Sequence, residues 1–70
     1  MADKPIVWTF VHHTRALAAS WPADAEHLLE QSFDEAVRLD ILKPEARGRE
    51  ERSHTDRGGV VELRAVWRAP

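Results

Sequence analysis

The 70-residue sequence predicts one small α+β domain, with an amphipathic helix packed on a three-stranded, mainly antiparallel sheet in the order strand–helix–strand–strand. Three stretches carry that expectation. IVWTFVHH, from Ile6 to His13, is dense in β-branched and aromatic side chains, which suit a pleated surface. SWPADAEHLLEQSFDEAVRLDIL, from Ser20 to Leu42, repeats apolar residues at three- and four-residue spacing, the period of a helix. VVELRAVWR, from Val60 to Arg68, alternates in character after a pair of glycines, as a strand leaving a turn does.

In the first strand, alternation places Ile6, Trp8, Phe10 and His12 on one face and Val7, Thr9, Val11 and His13 on the other. Both faces start apolar, which predicts a central strand or one covered by a second subunit. The segment TRALAAS that follows reads as a connector or a first helical turn. In the helix, Ser20 is the expected N-cap, with Pro22 in the first turn, where its missing N–H costs nothing. Asp24 and Glu26 favour the positive end of the helix dipole. Ala25, Leu28, Leu29, Ser32, Phe33, Ala36, Val37 and Ile41 form the inward stripe. Ser32 also offers a cap for a second helix beginning at Phe33, with Glu35 as half of a capping box. Pro44 predicts that the helix stops by about Leu42.

EARGREERSHT is polar and reads as an edge strand or a mobile loop. DRGG supplies turn residues. The last strand then turns Val61, Leu63, Ala65 and Trp67 to one face and Val60, Glu62, Arg64, Val66 and Arg68 to the other. Residues 1–70 form one domain, with 1–4 and 69–70 expected to fray.

Composition bounds the function. There is no cysteine, which excludes a disulfide framework, thiol chemistry and Cys-based zinc sites. The chain opens on Met1 and carries no apolar run long enough for a signal peptide or a membrane span, so a cytoplasmic protein with no membrane partner is expected. A chain this short buries little apolar surface, and small domains without disulfides commonly gain stability by self-association. A homo-oligomer, taken as a dimer, is therefore expected. Charge is split along the chain. Residues 1–42 hold three basic and seven acidic side chains, and residues 43–70 hold seven and five.

These features favour a non-enzymatic interaction or regulatory protein that binds itself and another macromolecule, most simply a protein. Its expected interface combines the second face of the first strand (Val7, Val11 and His13) with the acidic helix face (Glu30, Asp34 and Glu35), where Asp34 is also spaced to pair with Arg38. The alternative is nucleic-acid binding through the arginine-rich segment 47–57. Arg47, Arg49, Arg52 and Arg57 would surround its tip, joined by Arg64 and Arg68 on the last strand. Glu50, Glu51 and Asp56 dilute that patch, and no aromatic residue interleaves with it.

His12 and His13 are neighbours that diverge on a strand, although His54 could lie across the sheet from one of them. No metal-binding spacing is present, and no metal or cofactor is expected. SHTD, at Ser53–Asp56, contains triad letters, but catalytic triads are assembled in space and not along a strand, so no catalytic residue is assigned. Trp8, Trp21 and Trp67 read as core. A further alternative makes them walls of an interfacial ligand cavity. The length and the strand–helix–strand–strand order are similar to those of the dodecins, small flavin-binding oligomers. At the start of the second strand, however, this chain reads EARGRE, with no tryptophan to stack on a flavin. The likeness is one of topology.

Overall fold

A computed structural model describes residues 4–15 and 20–70. Residues 1–3, Leu17 and most of the TRALAAS connector lie outside the described residues. The architecture is the expected α+β arrangement: β1 (Ile6–Thr14), α1 (Ala23–Arg38), one 3-10 turn (Pro44–Ala46), β2 (Glu51–Arg57) and β3 (Val60–Arg68). The segment read as strand or loop is thus a 3-10 turn followed by a true strand. The sheet order is β1–β3–β2, and both pairings are antiparallel. Of the two placements expected for the first strand, central or covered by a second subunit, this overturns the central one. The central strand is β3, and β1 lies at an edge.

The helix covers one face of the sheet. Its buried residues Ala25, Leu29, Phe33 and Ala36 follow the helical period and meet Phe10, Ala65 and Trp67, with Val61 and Leu63 adjoining. Trp21 packs against both groups and tilts against Phe10 at 6.3 Å between ring centroids. The Trp8 indole N–H donates to the Ser32 hydroxyl at 3.0 Å. Ser32 therefore ties the helix to β1 and caps no second helix, because α1 runs unbroken through it.

The helix ends differ from the sequence reading. The N-cap position is Pro22, with no side-chain cap, and Ser20 lies outside the helix. Pro22 is extended there (φ −60°, ψ 152°), so the first helical residue is Ala23, three residues after the expected cap. At the other end the last helical residue is Arg38, four before the expected limit. The Asp40 N–H donates to the Val37 carbonyl and the Ile41 N–H to the Ala36 carbonyl, while Asp40 takes φ 61°. That is the paired hydrogen-bond closure usually made by glycine, and aspartate tolerates the left-handed conformation better than most residues.

A bulge in β1 changes one face assignment. Ile6 is opposite Arg68 and Trp8 is opposite Trp67, so Val7 is the extra residue. The register therefore moves Ile6 away from the Trp8–Phe10 face, and Ile6 is about half exposed. At the hairpin tip, Gly58 (φ 61°) and Gly59 (φ 84°) form a two-residue loop with both residues left-handed. Gly59→Ala should cost about 1 kcal/mol through backbone strain, since open space surrounds the position. Urea titration at equal m-value would measure it.

Candidate functional site

The arginines expected to grip a partner mostly grip this chain. Arg47 follows the 3-10 turn and swings over α1. It pairs with Glu30, and with Asp34 at 2.9 Å, while its guanidinium stacks 4.6 Å from the Phe33 ring centroid. Arg52 leaves β2 on the helix side, pairs with Glu26 and Glu50, and lies 4.7 Å from the Trp21 ring centroid. Arg68 pairs with Glu51 and donates to the Lys4 carbonyl. Arg64 pairs with Glu62. Accepting carboxylates hold the Arg47 and Arg52 guanidiniums above their ordinary pKa, Asp34 chiefly for the first and Glu26 for the second. Among the described residues, Arg49 and Arg57 have no carboxylate partner.

The acidic helix face is occupied by the same pairs. Glu30 and Asp34 take Arg47, and Glu35 takes Arg38. Arg38 thus pairs one residue away from the Asp34 expected from spacing, because the three-residue step lines up with Glu35. The acidic front and basic back of the chain close on each other within one copy.

The two sheet edges differ sharply. β2 has seven residues, all exposed, with charge at Glu51, Arg52, Asp56 and Arg57. Charges on an edge discourage pairing with another chain. β1 has nine residues and no Asp, Glu, Lys or Arg. No strand among the described residues borders its outer side. Val7 and Val11 stand about 40 % exposed (39 % and 40 %). The sheet face away from the helix is also open. The register places Thr9, Val11 and His13 there beside Val66, Arg64 and Glu62, followed by Glu51, Ser53 and Thr55.

Near the hairpin tip this face forms a shallow concavity of about 470 Å³ lined by His13, Thr55, Arg57, Val60, Glu62 and Arg64. Glu62 accepts from Arg64 at 2.9 Å and faces His13 at 3.5 Å. Arg64 first, then His13, hold the Glu62 carboxyl below its ordinary pKa. A depressed carboxyl stabilises the fold above its unfolded pKa, and the contribution disappears as pH falls through the folded value. Glu62→Gln should therefore lower the neutral plateau slightly and flatten the acid limb of a stability–pH curve below about pH 4.5, where the two proteins converge.

The remaining candidates do not converge. His12 stacks on Phe10 at 6.4 Å, while His13 belongs to the opposite face. His54 is separated from His12 by Leu63, to which both are paired. No group of three or more potential metal ligands occurs among the described residues. Ser53 and Thr55 share the open face, and His54 and Asp56 the other, so SHTD makes no triad. Asp56 sits within β2 opposite Val61 and does not start the turn. Two features were missed in the sequence: the near-complete burial of the Glu50 side chain under Arg52, and a groove beside Trp67. The first pairs residues only two apart, and its burial is set by the tertiary packing; the second joins residues distant in the chain. No described helix is long and apolar enough to cross a membrane. Comparison with protein-family models, curated proteins and solved structures gives no match to this chain.

Proposed function

We propose that the chain is a small non-enzymatic interaction protein that works as a homodimer joined along β1. The uncharged nine-residue edge is the observation that carries this reading. Two copies of β1 running antiparallel about Phe10 would make one six-stranded sheet, an isologous contact closed by a two-fold axis. Both helices would then lie on one side. The two open faces would form a continuous platform, edged by Arg57 and Arg64, on which a protein partner docks. The proposed interface retains Val7, Val11 and His13. Glu30, Asp34 and Glu35 drop out of it because their charges are met within the chain.

Native mass spectrometry with two charge variants tests the dimer. Val11→Glu and Val11→Lys should each shift a dimer to monomer, weakening association at least tenfold, or about 1.4 kcal/mol. An equimolar mixture should restore the dimer, because the two-fold brings position 11 of both copies near one another. A monomeric parent protein at tens of micromolar would defeat the reading. Nucleic-acid binding would depend mainly on Arg49 and Arg57, the two arginines of the patch without a carboxylate partner, and is the weaker reading.

A further inference from the structure

At the end of the domain away from the hairpin tip, a groove of about 450 Å³ runs between the 41–46 segment, the end of β3 and the β1 bulge. Small-molecule sites commonly occupy about 300–1,000 Å³. Two departures from regular backbone shape its walls. The bulge sets Val7 outside the ladder, and the left-handed Asp40 turns the chain so that Ile41 faces the groove. Val7 and Ile41 remain about 40 % exposed there (39 % and 42 %).

The polar groups around this apolar wall are unmatched. Trp67 lines the groove and is 2 % exposed, yet its indole N–H has no acceptor. Buried donors are nearly always satisfied, and Trp8 on the same sheet face does reach one, at Ser32. Lys43 and Arg49 also line the groove, and neither has an ion pair among the described residues. Glu45 is the one acidic side chain in the lining, and Arg68 is already held by Glu51.

We propose that this groove binds a small amphiphilic carboxylate, such as a medium-chain or aromatic organic acid. Its apolar body lies along Val7, Ile41 and Trp67, and its carboxylate sits on Arg49, whose planar fork can take both oxygens, with Lys43 beside it. The Trp67 N–H is closed to solvent in the free groove, and ligand binding opens the wall enough for an acceptor atom to reach it. The groove shares Val7 with the proposed β1 interface, but Ile41, Lys43, Arg49 and Trp67 lie outside β1.

The test uses the full chain with decanoate, and decanol as the uncharged control, followed by calorimetry and by the indole N–H resonances in a nitrogen–proton correlation spectrum. Trp67→Phe assigns its resonance. The expected result is decanoate binding at least tenfold tighter than decanol, a shift of the Trp67 resonance with Trp8 unmoved, and at least tenfold weakening by Arg49→Gln. Arg49 is exposed and unpaired, so that variant should keep the parent spectrum. No binding, equal binding of decanol, or indifference to Arg49→Gln would overturn the proposal. So would tighter binding of an apolar peptide through its C-terminal carboxylate, which would assign the groove to a chain end.

Discussion

Phe33→Ala is expected to leave the chain largely unfolded at room temperature. Phe33 is 2 % exposed at the centre of the helix–sheet interface. Its ring lies 5.9 Å from that of Trp67, and the Arg47 guanidinium lies over it. Truncating a buried phenylalanine costs about 3–5 kcal/mol through lost transfer energy and the cavity left behind. At roughly 0.05–0.15 kcal/mol per residue, a chain this size holds only about 4–10 kcal/mol in total. Phe33→Leu keeps most of the volume and should remain folded. Circular dichroism and urea titration of both variants would decide the matter. A loss below about 1.5 kcal/mol for Phe33→Ala would mean that α1 is not the element that closes the core.

Arg52→Ala should be the most damaging change among the charged residues, at about 2 kcal/mol. Only 6 % of the Glu50 side chain is exposed, and Arg52 is its partner, at 2.9 Å. Removing Arg52 leaves a buried carboxylate without a counter-charge, a loss of about 1–3 kcal/mol or more, and uncovers Trp21. Arg52→Lys should recover little, because an ammonium lacks the fork that reaches Glu26 and Glu50 together. The double variant Arg52→Ala/Glu50→Ala should regain much of the loss, since no orphaned charge remains. If it is no more stable than the single variant, packing on Trp21 dominates. Arg47→Ala should change stability little at physiological salt, because its pairs are exposed and screened. Tests of nucleic-acid binding should accordingly replace Arg49 and Arg57, and leave Arg52 to hold the fold.

The same residues separate what was legible in the sequence from what was not. Ala25, Leu29, Phe33 and Ala36 are buried as their spacing foretold, and so are Val61, Leu63, Ala65 and Trp67. In each case the pattern repeats within one element, so periodicity reports it directly. Ser20 misled because serine and proline both suit a helix start, and only the backbone at Pro22 chooses between them. The place of β1 was ambiguous in principle. A strand apolar on both faces looks alike whether it sits between two strands or waits at an edge for a copy of itself. The candidate site shows the same division. Val11 and His13 share the open face as alternation placed them, and the groove at Trp67 was not legible, because Val7, Ile41, Arg49 and Trp67 share no local pattern.

By itself, the sequence determined the α+β class, the strand–helix–strand–strand order, the centre of each buried stripe and the two-glycine turn, all of which follow from local backbone preference and residue period; Leu28 and Ile41, placed on the inward stripe, stand exposed. The tertiary structure alone decided which strand is central, which edge is unguarded and where the charges go. Glu26 and Arg52 lie far apart in the chain and meet only after the helix has folded over the sheet. Ion pairs depend on distance in space, and a one-dimensional list of charges cannot show whether opposite signs serve a partner or satisfy each other.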